Sequence, residues 1–174
     1  MGLQGSALLA GDDDLRGRLQ NAVEELDRVI RDLRNYIFGL RPGILADRQL
    51  DQALHGLVTD FEQRSGVLAI AEVDPQVAAE LTGRAADVVQ LAREALSNVS
   101  RHAQAATCRV SLYQDEDRAV LEVDDDGRGF DPAQVAGAGQ GLGNLRERAE
   151  RLGGRTEIQS APGAGTKVQV TIPG

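Results

Sequence analysis

Two pairs of strand-like segments, one on each side of a glycine-rich stretch, constrain the fold of this chain most. Residues 106–113 and 118–123 are rich in apolar residues and are joined by a short polar turn, which predicts a β-hairpin. Residues 155–160 and 166–172 form a similar pair around a turn that contains proline and glycine. A further strand-like run and four helical patterns accompany them, at residues 67–73, 46–65, 75–81, 83–102 and 142–152. The chain is therefore predicted to form an α/β two-layer sandwich.

A regular apolar pattern precedes this region and predicts a long helix, called the heptad helix below. From Leu15 to Leu40, apolar residues recur at alternating intervals of four and three residues, as in helices that pack on other helices. Gly39 and Pro42 end the pattern. A lone helix leaves such a stripe exposed, so a partner helix is expected; packing on the chain's own globular part is the alternative. The predicted organisation is a disordered tail at 1–11, the heptad helix at 12–43 and one domain at 44–174.

Composition and charge exclude several classes of protein. Hydrophobic residues make up 41% and charged residues 26% of the chain, as in ordinary soluble globular proteins. The formal net charge of −8 argues against a nucleic-acid partner, because binding the phosphate backbone needs a basic surface. No segment approaches the ~20 apolar residues of a membrane span, and no signal peptide is visible, so a cytoplasmic location is expected. Cys108, the single cysteine, lies in an apolar run and is predicted to be buried and unreactive.

The helical pattern at 83–102 carries a first candidate binding motif. Glu94, Asn98 and His102 are spaced four residues apart, which in an α-helix places them in one stripe opposite the apolar face. The carboxylate can orient a water or accept a proton, the amide oxygen is a ligand for Mg²⁺, and the imidazole can contact phosphate. The alternative for this motif alone is a solvated polar face.

The segment Asp125-x-Gly127-x-Gly129 is a second candidate motif. It follows an apolar strand, where a carboxylate can accept a hydrogen bond from an exocyclic amine such as that of adenine. The two glycines allow the backbone to approach a ligand closely. An acidic surface turn is the alternative. A calcium loop is excluded, since Ala133 stands where that loop requires a bidentate glutamate.

A third candidate motif is the glycine-rich run at 137–143, directly before a helix. Backbone N–H groups at a helix N-terminus bind phosphate. The run is not the dinucleotide-binding fingerprint, because Leu142 and Asn144 stand where its third glycine would be. It also lacks the lysine of a Walker A loop. A flexible loop is the simple alternative.

In their order and spacing, these motifs resemble the conserved boxes of the GHKL, or Bergerat, ATP-binding fold of histidine kinases, gyrase B and the heat-shock chaperone ATPase. The boxes are Glu94…Asn98…His102, Asp125-x-Gly127-x-Gly129, Gly139-x-Gly141-Leu142 and Gly163-x-Gly165-Thr166. The run at 141–148 looks like that of histidine kinases of the nitrate-sensor and desaturase-regulator type. Residues 30–42 resemble the second helix of their dimerisation and phosphoacceptor domain and, more loosely, that of actinobacterial oxygen and redox sensors.

The resemblance implies a mixed sheet and a specific ATP site. Adenine would bind Asp125 with support from Thr166, and Asn98 would hold Mg²⁺. Glu94 would be the catalytic residue that orients or activates the reacting group, and His102 would contact phosphate where many relatives carry lysine. Glycines and a leucine would line the rest of the ATP site under a short lid at 131–138, namely Gly127, Gly129, Gly139, Gly141 and Leu142.

The function that the resemblance implies is a histidine kinase that transfers the γ-phosphate of ATP to a histidine on an acceptor helix. A response regulator and a second copy in a homodimer would be its partners. The acceptor histidine of such kinases precedes an acidic residue on the first dimerisation helix, whereas His55 precedes Gly56. We therefore expect this polypeptide not to phosphorylate itself. A GHKL serine kinase or free ATPase, and a docking module without activity, are the alternatives.

Overall fold

A computed structural model describes residues 50–135 and 140–173 of the protein. Within these ranges the strands are β1 (Leu68–Val73), β2 (Thr107–Asp115), β3 (Arg118–Asp125), β4 (Arg155–Ser160) and β5 (Thr166–Pro173). The helices are α1 (Leu50–Ser65), α2 (Pro75–Glu80), α3 (Ala85–Asn98), α4 (Pro132–Val135) and α5 (Gln140–Arg151). A 3₁₀ turn, Thr82–Arg84, precedes α3, and a π-helical turn, Val99–Ala103, follows it.

The strands form one mixed sheet in the order β1-β2-β3-β5-β4. β1 pairs with β2 in parallel, and the other neighbours are antiparallel. The register places Asp125 at the end of β3 directly opposite Thr166 of β5, and Thr166 opposite Ser160 of β4. These three residues therefore lie in one row across the sheet.

A single aliphatic core lies between one face of the sheet and helices α1, α3 and α5. Leu54 of α1, Leu91 of α3 and Leu145 of α5 are almost completely buried against strand residues such as Leu121 and Val170. Alternating residues of the strands point to the opposite face, which carries charged and polar side chains. The predicted two-layer α/β sandwich with a mixed sheet is confirmed.

The predicted helix at 83–102 differs from the structure in its last turn. The α-helix ends at Asn98 and continues as the π turn, after which Gln104 has a left-handed backbone with φ of 54°. A π turn changes the angular spacing of residues, so His102 does not extend the α-helical stripe of Glu94 and Asn98. In the glycine-rich run at 137–143, α5 begins at Gln140, two residues before the predicted start at Leu142.

Two predicted segments, the tail at 1–11 and the heptad helix at 12–43, lie outside the described residues, as does Gly139. The short predicted helix from Pro75 and the two hairpins are confirmed. Among the helices described, none has the length and apolarity needed to cross a membrane.

Candidate functional site

Asp125 lies at the C-terminal end of β3, and its carboxylate is buried. Its residue is 8% exposed, and its Oδ1 accepts a hydrogen bond of 2.9 Å from the backbone N–H of Gly127. Burial raises the pKa of Asp125, the neighbouring Asp124 and Asp126 raise it further, and the hydrogen bond from Gly127 opposes them. A carboxylate has about four acceptor positions, so acceptor capacity remains for a ligand.

The glycines around Asp125 stand where backbones approach closely. A Cβ at Gly127 would lie 2.7 Å from the Cβ of Ala103, the last residue of the π turn. Gly129 and Gly165 have φ of 57° and 73°, and a Cβ on Gly165 would collide with the carbonyl of Asp125. The loop after β3 is also hydrogen bonded on both sides, because Arg128 donates to the carbonyl of Ala103 and accepts from Gly163, over 2.7 and 2.6 Å.

Thr166 lies opposite Asp125 and belongs to a small hydrogen-bond network centred on Ser160. The Ser160 hydroxyl donates to the Gly165 carbonyl over 2.9 Å and accepts from the Phe130 N–H over 2.9 Å. It lies 3.1 Å from the hydroxyl of Thr166. The turn at 161–165 and the loop after Asp125 are thereby tied together. The motifs did not reveal Ser160, although a hairpin with a five-residue turn places it opposite Thr166.

Asn98 and Gly141 are in direct contact at the end of α3. A Cβ at Gly141 would lie 2.7 Å from the Asn98 Oδ1, closer than real Cβ atoms approach. The Asn98 Nδ2 is buried and has no hydrogen-bond partner among the described residues. Such an orphaned amide end is costly unless a ligand satisfies it. The close packing brings the N-terminus of α5 next to this amide.

The other predicted site residues near Asn98 and Gly141 differ in their position and burial. Glu94 lies one helical turn before Asn98 and is half-buried, whereas His102 is exposed in the π turn. Leu142 is partly buried against the core. The first N–H groups of the twelve-residue α5 have no acceptor within the helix. The structure therefore brings the Asp125 motif and the glycine-rich motif to the same end of α3.

A depression lies on the open face of the sheet and is lined by residues including Glu72, Arg109, Ser111, Tyr113 and Glu122. Two of its acidic groups are paired with cations, since Glu72 lies 3.7 Å from Arg109 and Glu122 lies 2.9 Å from Lys167. Burial of Glu122 works against ionisation, but hydrogen bonds from Lys167 and Gln169 outweigh it and lower its pKa. We therefore assign the functional site to the face with Asp125 and Asn98.

Comparison with known proteins identifies the family of the chain. A sequence model of the family of histidine kinase-, DNA gyrase B- and HSP90-like ATPases matches residues 83–174. The chain belongs to this family. The matched range of this GHKL ATPase domain includes Asn98, Asp125, Gly141 and Thr166.

Its relatives are sensor kinases. The sensor protein VraS of Staphylococcus saprophyticus is 27% identical over 93% of this chain and 47% of its own length. The sensor histidine kinase LiaS of Bacillus subtilis is 31% identical over 93% of this chain and 44% of its own. MctS of Rhizobium johnstonii is 32% identical over 99% of this chain and 38% of its own. The chain thus spans about half, or less, of the length of these relatives.

Solved structures share the fold. The histidine kinase domain of a blue-light activated kinase from Erythrobacter litoralis EL346 matches with a TM-score of 0.60 and 20% identity, covering 72% of this chain and 61% of that one. The histidine kinase AdeS of Acinetobacter baumannii matches with a TM-score of 0.60 and 16% identity, covering 89% and 81%. The GHKL ATPase fold is thereby confirmed.

Proposed function

We propose that this GHKL domain is the catalytic domain of a sensor histidine kinase of the nitrate-sensor and desaturase-regulator type. It transfers the γ-phosphoryl group of ATP to an imidazole nitrogen of an acceptor helix, so that the terminal P–O bond breaks, a P–N bond forms and ADP leaves. The observation that supports this most is the convergence of Asp125, Asn98 and the N-terminus of α5 at one end of α3.

The base side of the proposed site is Asp125 with Thr166. The carboxylate is held at the sheet end by the N–H of Gly127, and it accepts a hydrogen bond from the adenine amine. Gly127, Gly129 and Gly165 keep side chains out of the tightly packed backbone behind it. The binding form of Asp125 is the ionised one, because it accepts from the base.

The phosphate side is Asn98 with the start of α5. The amide oxygen of Asn98 is suited to Mg²⁺, since amide oxygens are ligands of hard cations. Its unsatisfied Nδ2 is a donor and is suited to a phosphate oxygen. Bound Mg²⁺ would neutralise charge on the β- and γ-phosphates. Backbone N–H groups at Gly141 and Leu142 are placed to bind phosphate oxygens. Gly139, outside the described residues, is assigned the same role by its place in the motif.

Glu94 and His102 are assigned the remaining roles. Glu94, one turn from Asn98, orients the attacking imidazole or accepts its proton. His102, exposed beyond the π turn, contacts phosphate. Phosphoryl transfer depends mostly on positioning and charge neutralisation, so these groups complete the domain's share of the reaction.

The acceptor helix, a response regulator and a second kinase copy are the proposed partners, and the proposed location is cytoplasmic. The heptad helix is assigned to the dimerisation region. His55 is not proposed as the phosphorylated residue, because it lies on α1, followed by Gly56, with its Nδ1 2.9 Å from the carbonyl of Asp51.

Nucleotide binding by calorimetry, with and without Mg²⁺, tests the site. Asp125→Asn should weaken ATP binding by about 10- to 100-fold, the value of a hydrogen bond to a charged group. Asp124→Asn is the matched control, since Asp124 faces the other side of the sheet, 3.8 Å from Lys167. Equal affinities of the two variants would refute the assignment of the base site.

Phosphoryl transfer is tested separately. The chain should transfer labelled phosphate from ATP to an added dimerisation domain that carries an acceptor histidine, and the product should be acid-labile. An acid-stable product would favour the serine-kinase alternative. Binding of ATP without transfer to any acceptor would contradict the proposed kinase activity and leave the ATP site standing.

A further inference from the structure

The hydroxyl groups of Ser160 and Thr166 form a hydrogen-bond chain that ends beside Asp125. All three residues lie in one row on the core-facing side of β4, β5 and β3. Side chains directly opposite each other in such a row have Cβ atoms roughly 5 Å apart. Thr166 is thus a neighbour of both Asp125 and Ser160.

The donors and acceptors around Ser160 fix the direction of this chain. A serine hydroxyl has one hydrogen to donate and two lone pairs. The Phe130 N–H, 2.9 Å away, can only donate to it, and the Gly165 carbonyl, 2.9 Å away, can only accept from it. The single hydrogen therefore goes to Gly165. The Thr166 hydroxyl, at 3.1 Å, must then be the donor toward Ser160.

We propose that Ser160 is a positioning residue that sets the base specificity of the site by making Thr166 an acceptor. With its hydrogen committed to Ser160, Thr166 presents lone pairs beside Asp125. The base edge then meets acceptors from both residues, directly or through a water. This inference rests on the proposed ATP site.

The arrangement discriminates between purines by the group on carbon 6. An amino group there, as in adenine, can donate to acceptors. A carbonyl there, as in hypoxanthine, faces acceptors and stays unpaired. Sites that hydrogen bond one polar group reject analogues that lack it, because buried polar groups are left unsatisfied.

The experiment compares the Kd of Mg-ATP with that of Mg-ITP, which carries the carbonyl and no second amino group. Ser160→Ala releases the Thr166 hydrogen, which can then be donated to the carbonyl. We expect the ITP-to-ATP ratio of Kd values to fall by about tenfold, the effect of one hydrogen bond. Ser160→Thr keeps a hydroxyl and should keep the ratio of the unchanged protein.

Thr156→Val is the matched control. Thr156 lies on the same strand, and its buried hydroxyl has no hydrogen-bond partner among the described residues, so neither Kd should change. Ser160→Cys, with its weakly bonding thiol, replaces the alanine variant if that variant does not fold, and the same fall in ratio is expected.

The outcomes separate this inference from the site on which it rests. If both Kd values rise by the same factor in Ser160→Ala, Ser160 is merely structural and the inference is overturned, while the ATP site stands. If the unchanged protein binds ATP no better than ITP, the inference is also overturned. If it binds neither nucleotide, the proposed ATP site fails as well.

Discussion

Replacing Gly141 with alanine should damage the site without weakening the fold. The new Cβ would lie 2.7 Å from the Asn98 Oδ1, so the amide must leave its present position. Moving a side chain off its rotamer costs about 0.5–1.5 kcal/mol. Alanine in place of glycine in a helix contributes up to about 1 kcal/mol of stability. The two effects nearly cancel, and the free energy of unfolding should stay within about 1 kcal/mol of that of the unchanged protein.

Binding of Mg-ATP should respond much more strongly. Displacing Asn98 removes an interaction with a charged ligand, a loss of about 1.5–3 kcal/mol, which corresponds to roughly 10- to 100-fold in Kd. Calorimetry of Mg-ATP binding measures this, and urea denaturation monitored by circular dichroism measures the stability.

Gly143→Ala is the control for this prediction. Gly143 lies in the same helix, and an added Cβ there meets nothing within 4 Å. It should gain up to about 1 kcal/mol of stability and bind Mg-ATP normally. Both variants keep their backbone N–H, so a difference between them reports on Asn98. If Gly141→Ala binds Mg-ATP as tightly as Gly143→Ala does, the inferred role of this contact is refuted.

Three further predictions concern the residues that frame the site. Burial raises the pKa of Asp125 above its ordinary 3.8, so its contribution to stability is present at low pH and is lost as the pH rises through the raised pKa. Asp125→Asn should therefore gain stability relative to the unchanged protein as the pH rises above about 4, measured by urea denaturation; a constant difference would contradict this. Gly163 and Gly165 both have positive φ, of 80° and 73°, but only at Gly165 would a Cβ meet other atoms. Gly163→Ala should therefore lower the free energy of unfolding by roughly 1–2 kcal/mol, and Gly165→Ala should lower it clearly more in the same assay. Burial raises the pKa of the Cys108 thiol to about 12, so mass spectrometry should find it unmodified by iodoacetamide at about pH 8 in the folded protein and modified in urea; rapid modification without urea would contradict this.

The fold could be predicted from sequence largely because its strands come in hairpins. The apolar alternation and the short turns placed β2 with β3 and β4 with β5, and the helical periods gave α1 and α2 nearly their observed bounds. The family resemblance implied a mixed sheet, but the parallel pairing of β1 with β2 was not predicted, since local periodicity carries no information about which distant strand lies alongside.

The candidate site was predicted less completely than the fold, because two of its features do not follow from the spacing of residues in the sequence. Asp125, Asn98 and Gly141 were identified because their motifs have a recognisable spacing. The π turn was missed, since apolar periodicity predicts α-helical spacing and does not mark a change to π geometry. Ser160 was missed because its importance comes from the register of a hairpin, which sequence spacing alone left unexamined.

The π turn suggests how the two halves of the site are joined. The α-helical part of this segment ends with Asn98 on the phosphate side, and five residues later Ala103 packs on Gly127 and bonds Arg128 on the base side. A helix that continued well beyond Ala103 would use the Ala103 carbonyl for its own ladder and leave the loop after Asp125 without this anchor. Because one turn contacts both sides, a shift of α3 that adjusts Asn98 to a bound cation must also strain the contact with Gly127. The base and the triphosphate are therefore expected to bind cooperatively: calorimetry should find that adenosine binds more tightly when Mg-pyrophosphate occupies the phosphate side, and equal affinities with and without it would contradict this.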